Sequence, residues 1–340
     1  MKTLEEREYW IDAVRSFACL CVITTHAPIP NCGLGKELIS IFNYYSVGGA
    51  SILFFMISGA LIFNKAQNMF PFIKTRFMRV FFPMVFWTIV YLAIELFRGD
   101  ISFVELVKSI LLIPFYPQQG TFWFIYVIFG IYLLTPMVST WLNKCKKSDL
   151  EFFMVFWCFT LIIPYLEILL PSLSKCTIIT GMLYYFSGYL GFAILGFYLR
   201  RYVSFSFSSP LCILICMVIV FFPWLFYYFT DIPHGIIQDR MSINHMFLAA
   251  LYFLTMKAMK FSSRMKFFLY DFAQHTFGIY LVHIIVMKRL LWPLLTPLKI
   301  HYLIQIPLIT ILTAVISYFI VHIMSKLPYS KYTVSFSSKK

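Results

Sequence analysis

Charge is what this sequence has least of. Only 12% of its 340 residues are Asp, Glu, Lys or Arg, and the acidic ones number 14. A soluble domain carries about 25% charged and about 45–50% apolar residues. Here 61% are hydrophobic and the mean hydropathy is +0.81. Such a chain cannot cover a water-facing surface, which excludes a soluble enzyme, a disordered chain and a secreted disulfide scaffold. Ligand-type spacing is missing as well. The eight cysteines form no C-x-x-C pair, and most lie in apolar runs, where a thiol behaves as a small hydrophobe. Without a Cys/His zinc spacing or a Gly-rich RNA-binding motif, no metal and no nucleic-acid partner is expected.

What is present instead is apolar sequence of spanning length. A membrane helix needs about 20 mainly apolar residues, and ten runs qualify: about 10–30, 41–63, 77–97, 121–142, 151–170, 180–199, 210–229, 241–259, 270–292 and 303–325. The first carries Asp12 and Arg15 and lacks a small-x-small cleavage site, so it reads as a span rather than a removed signal peptide. The segment 98–120, with Glu105 and Lys108, reads as an interfacial helix on the outer face. The net charge of +14 supports the same count. With the N-terminus inside, nineteen Lys and Arg fall on inner segments and eight on outer ones, as cytoplasmic loops require. The expectation is an all-α polytopic bundle of about ten helices, both termini cytoplasmic, forming a single domain over 1–340 with no fused soluble domain.

Ionisable groups inside spans are costly and mark function by default. The first span is the richest. Asp12 and Arg15 stand i,i+3 and can pair on one face. Arg15 and His26 are eleven residues apart, about three turns, so they share a face about 16 Å apart along the axis. The same residues also fit a plainer reading, an Asp–Arg pair locking the helix with His26 at the interface. Arg76 and Arg79, also i,i+3, form a pair of guanidiniums suited to bidentate phosphate binding, or to positive-inside anchoring. Glu95, Glu167, His275 and His283 complete the intramembrane polar set, with Tyr280 and His283 again i,i+3. The Gly and Ser positions over 46–59 read as sites of close helix packing.

Taken together, these residues resemble membrane acyltransferase family 3. Arg15 through His26 is similar to its Arg-x10-His signature, and Phe54-Phe55-Met56-Ile57-Ser58-Gly59 to its FFxxSG segment. Arg76-Phe77-Met78-Arg79 resembles its R-x-x-R motif. Trp123-Phe124 with Tyr132 and Pro136 resembles the fourth-helix run, and Phe277 to His283 the late G-I-Y-L-x-H element. One departure is Thr121-Phe122 ahead of Trp123, where many members carry a histidine.

The resemblance implies an O-acyltransferase of the bacterial inner membrane. Its co-substrate is a cytoplasmic acyl-CoA, usually acetyl-CoA, with no permanently bound cofactor. Its acceptor is a sugar hydroxyl of a surface polysaccharide or lipid-linked glycan. His26 would be the general base, its ordinary pKa near 6.5 suiting that task, with Asp12 in the catalytic set. Arg15, Arg76 and Arg79 would hold the CoA, and Glu95, Trp123, Tyr280 and His283 would line the substrate path. A transporter or flippase of a lipid-linked sugar would also carry intramembrane Arg and His, but it often shows paired half-repeats, and this sequence shows none.

The topology makes one expectation about thiols. Cys32 and Cys176 fall on the outer side and Cys145 on the inner. A membrane-impermeant maleimide applied to intact spheroplasts should therefore label Cys32 and spare Cys145, and the reverse pattern would invert the assignment.

Overall fold

The computed structural model describes residues 7–28, 36–168, 170–204, 206, 210–229, 233–298 and 300–335; Cys32 lies outside them. Among the described residues there is helix and turn but no strand. The long helices are α1 (Tyr9–His26), α2 (Lys36–Gly49), α3 (Ser51–Ile62) and α4 (Met69–Phe97). They continue with α5 (Phe103–Leu112), α6 (Trp123–Lys144), α7 (Lys147–Leu166), α8 (Leu190–Tyr202) and α9 (Pro210–Phe229). After the short α10 (His234–Gln238) come α11 (Ile243–Ala258), α12 (Ser263–Ile285), the short α13 (Trp292–Leu295), α14 (Tyr302–Ser325) and the short α15 (Ser330–Thr333). Six helical stretches among the described residues are long and apolar enough to cross a membrane: Ile41–Ile62, Met69–Phe97, Gly120–Lys144, Lys147–Leu166, Ser263–Leu298 and Leu303–Ser325. The protein is an all-α, multi-pass membrane protein.

Several boundaries differ from the hydropathy reading, each for a local reason. The run 180–199 is not one helix. Its first half is turns, with Gly188 at φ 104° and its carbonyl accepting the Trp157 indole N–H at 3.1 Å. Only α8 remains, 13 residues or about 20 Å, short of a core about 30 Å thick. The run 41–63 is two helices separated at Ala50. Helix α4 begins at Met69, eight residues before the expected start at 77, so Arg76 lies inside it as Arg79 does. It ends where Gly99 turns to φ 75°. There the Gly99 and Asp100 N–H groups donate back to the Leu96 and Glu95 carbonyls, the paired bonds that close a helix C-terminus. The segment expected to be interfacial holds α5, started by a capping box. The Glu105 N–H donates to the Ser102 hydroxyl, and the Ser102 N–H and hydroxyl donate to the Glu105 carboxylate. Those donors hold the Glu105 pKa below its ordinary value. No residue of α5 is buried, as suits a helix lying along an interface.

The chain divides into two compact units, interleaved in sequence. The first comprises Met1–Cys21, Ser40–Ala66 and Met137–Phe267. Its centre is the contact of α3 with α8, made through glycines. A Cβ on Gly59 would overlap the Ala193 carbonyl, and one on Gly196 would overlap that of Met56. The exposed carbonyls at the end of α8 are satisfied by one ammonium. Lys257 of α11 donates to the carbonyls of Leu199, Arg200 and Val203 at 2.9, 2.9 and 2.7 Å, an unusually complete C-terminal cap. Arg200 in turn binds the Glu8 carboxylate and the Ala60 carbonyl. Charges that the sequence reading counted as topology markers are thus also internal fastenings.

The second unit comprises Val22–Ile39, Gln67–Pro136 and Phe268–Lys340. Helix α12 is its axis, with most residues from Phe272 to Ile284 buried. Gly278 presses against Val321 of α14 and Val334. From α4, the Trp87 indole donates to the Thr333 carbonyl at 2.9 Å and the Tyr91 hydroxyl to that of Leu281 at 3.0 Å. Beyond Ile285 the helix widens into a π-helical turn, Val286–Leu291, a distortion frequent at functional sites.

Because the Gly59 and Gly196 contacts are to backbone, a methyl there cannot be accommodated by a rotamer change. Gly59→Ala is expected to lower stability by about 3 kcal/mol, the upper end of overpacking costs. Gly130→Ala, where nothing lies within 4 Å, should be neutral or slightly stabilising. Thermal unfolding in detergent compares the two.

Candidate active site

The residues singled out from the sequence fall in different places. In the first unit, Asp12 is buried in the first turn of α1, and the partner that takes its carboxylate is Arg7, five residues earlier. The Arg7 fork donates from Nε at 2.7 Å and from Nη2 at 2.9 Å, one bond to each oxygen. The i,i+3 neighbour Arg15 is half-buried on the same helix. A bidentate carboxylate–guanidinium pair is a strong, geometrically specific contact. Asp12 is the more deeply desolvated partner, because Arg7 retains more exposure.

The second unit brings four of the candidates together. His26, at the C-terminal end of α1, is half-buried, and its ring centroid lies 5.4 Å from that of His283 on α12. His283 is fully buried. Its Nδ1–H donates to the Tyr280 carbonyl at 2.6 Å, so the neutral ring carries its lone pair on Nε2. That Nε2 has no hydrogen-bond partner among the described residues. A buried imidazole nitrogen left unsatisfied is costly and marks a place where a proton or a donor is meant to arrive.

Tyr280 holds this arrangement from the other side. Its ring is 5.8 Å from His283, and its hydroxyl donates to the Thr121 carbonyl, in the short 3₁₀ turn Gly120–Phe122 ahead of α6. The turn ahead of Trp123 therefore supplies a backbone acceptor to Tyr280. Phe122 and Phe124 pack on Tyr280 at 6.1 and 5.8 Å, and Trp123 meets Phe124 edge-on.

Next to this cluster is a cavity of about 180 Å³ lined by Tyr91, Glu95, Gln119, Lys288, Arg289 and neighbouring isoleucines. Glu95 reaches it because α4 ends one turn beyond, and Lys288 and Arg289 because the π-helical turn follows Ile285. Ile284 and Ile285, which also line it, directly follow His283 in the chain. Sequence reading had counted Lys288 and Arg289 as outer-loop charges and had missed Tyr91 and Gln119. The available signal was two adjacent cations one turn past an intrahelical histidine.

Arg76 stands apart, one turn beyond Phe72. Its guanidinium lies over the Phe72 ring at 5.5 Å and the Tyr132 ring at 5.9 Å. Such stacking fixes the plane while leaving N–H groups at its edge for an anion. Arg79, one turn on, is exposed.

A half-buried histidine against a fully buried one, beside a charged cavity, is an arrangement able to pass a proton between two imidazoles. The acyltransferase-domain family model, acyltransferase family 3, matches residues 8–322. The chain belongs to that family and is a membrane acyltransferase. No curated protein and no solved structure matches it.

Asp12 supplies the test that separates structural from chemical roles. Removing Asp12 leaves the partly exposed Arg7 guanidinium without its bidentate partner, a loss of about 1.5–3 kcal/mol for hydrogen bonds to a charged group. Asp12→Ala should therefore lower the unfolding temperature in detergent, whereas His283→Gln should change activity far more than unfolding temperature.

Proposed function

We propose that this chain transfers an acyl group, with acetyl as the natural one, from cytoplasmic acyl-CoA to a sugar hydroxyl of a surface polysaccharide or lipid-linked glycan. The observation that carries this reading is the His26–His283 pair, because a hydroxyl nucleophile needs a base and an acyltransferase must furnish one. In this mechanism His26 takes the proton of the acceptor hydroxyl as its oxygen attacks the thioester carbonyl carbon. The C–S bond then breaks, and the CoA thiolate leaves and takes the proton from the His26 imidazolium. His283, neutral and with its lone pair on Nε2, stabilises the imidazolium beside it. Tyr280, tied to the Thr121 carbonyl, is a positioning residue.

The donor end is assigned to Arg76 and Arg79, whose forks suit the CoA phosphates. Arg15, about 16 Å from His26 along α1, would flank the pantetheine arm. Asp12 acts through Arg7, as a positioning residue. The acceptor enters by the cavity of Glu95, Lys288 and Arg289, with Trp123 near its approach. This reading takes ten crossings with both termini cytoplasmic, in a bacterial inner membrane, α8 and the turns ahead of it together making the sixth, so that donor and acceptor arrive from opposite faces.

The test is release of free thiol from acetyl-CoA by purified protein supplied with glycan. General-base catalysis contributes about 10²–10⁴-fold, so His26→Ala should lower turnover by at least 100-fold while calorimetric affinity for acetyl-CoA stays near wild type. The Arg76→Ala/Arg79→Ala double variant should show the opposite pattern, weak binding with a less affected maximal rate. Turnover in His26→Ala above about a tenth of wild type would remove His26 from the role.

A further inference from the structure

Two turns before His283 along α12 lies a second polar cluster that the acyl-transfer reading does not use. Asp271 and His275 stand i,i+4 on α12, and Tyr318 and His322 stand i,i+4 on α14. One ligand atom from each of Asp271, His275 and His322 lies within 4.8 Å of the others. We propose that these three side chains bind one divalent transition-metal ion of the zinc class, joining α12 to α14. The proposal stands independently of the assigned acyl-transfer site.

The surrounding contacts are those a metal site needs. The His275 Nδ1–H donates to the Asp271 carbonyl at 2.7 Å, which fixes the tautomer and leaves Nε2 as the ligating nitrogen. The Tyr318 hydroxyl donates to Asp271 Oδ2. It orients the carboxylate and leaves Oδ1 for a cation. The rings are held by stacking. Tyr318 lies against His322 at 5.6 Å and 25° and against Phe272 at 6.0 Å and 15°, and it meets His275 edge-on at 5.1 Å. His322 keeps a buried Nδ1 that has no hydrogen-bond partner among the described residues. Bonds of about 2.0–2.1 Å to a tetrahedral zinc place ligand atoms about 3.3 Å apart. The cluster therefore needs only a small inward rotation of its side chains to close on an ion.

The donor set selects the ion. Two imidazoles and one carboxylate suit Zn²⁺ and its neighbours Co²⁺ and Ni²⁺, whereas Mg²⁺ and Ca²⁺ prefer oxygen-only shells. Three protein ligands leave one position for water. The ion would also balance the Asp271 carboxylate among apolar helices, where an uncompensated charge is expensive.

The experiment uses the full chain, tag-free, purified in detergent and stripped with a chelator. Metal content by mass spectrometry after equilibration with Zn²⁺, calorimetric titration and unfolding temperature with and without Zn²⁺ are the readouts. One Zn²⁺ per chain, a raised unfolding temperature and no response to Mg²⁺ are expected. His322→Gln, at a half-buried position, should weaken Zn²⁺ binding by more than 100-fold. Tyr318→Phe, which keeps the ring contacts and removes only the hydroxyl bond to the carboxylate, should weaken it by about 10–100-fold. His283→Gln should bind Zn²⁺ as wild type does. Absence of Zn²⁺ binding in wild type would overturn the proposal, as would equal binding in His322→Gln. Loss of binding in His283→Gln but not in His322→Gln would move the ion to the His26–His283 pair and also overturn it.

Discussion

Hydrocarbon offers no hydrogen bonds, so every polar group carried into it must be satisfied by the protein itself. That constraint organises the described structure. It explains why the first turn of α1 is tied by the Arg7 fork on Asp12. It also explains why the end of α8 receives three bonds from Lys257. Where the constraint is left unmet, as at His283 Nε2, the exception marks a place where chemistry or a ligand can make the missing bond.

The same constraint governs how close the helices come. Lipid chains are as apolar as leucine side chains, so helices gain little from simple burial and associate through close backbone packing instead. Gly59 and Gly196 sit at such a contact in the first unit, and in the second Gly278 lets the Val321 side chain of α14 seat directly on the α12 backbone. On α12 this close packing stiffens a helix that carries Asp271, His275, Tyr280 and His283, all on successive turns. A rigid carrier matters because proton transfer is sensitive to small displacements.

Polar side chains on α12 therefore serve two ends of one helix. Toward Ile285 they form the histidine pair and the wall of the charged cavity, where a π-helical turn re-aims Lys288 and Arg289. Toward Ser263 they face Tyr318 and His322 of α14. Eight residues, about 12 Å along the axis, separate His275 from His283, and that distance keeps the two clusters distinct within one element.

Much of this was written in the sequence. The scarcity of charge required a membrane, and the lengths of the apolar runs located the long helices α4, α6, α7 and α14 to within a few residues at most ends. The motifs around Arg15, His26, Arg76 and Tyr280 pointed to the family. Those features are local: they depend on composition and on neighbours within one or two turns. Sequence reading failed where the outcome depended on partners distant in the chain. Hydropathy could not see that the residues before Gly188 would fold as turns, that Arg7 would hold Asp12, or that the cations after His283 would line a cavity with Glu95. It found no metal-ligand spacing because Asp271 and His275 meet His322 only when α12 packs on α14. The tertiary structure decided these, since side chains from separate helices become neighbours only once the helices are packed.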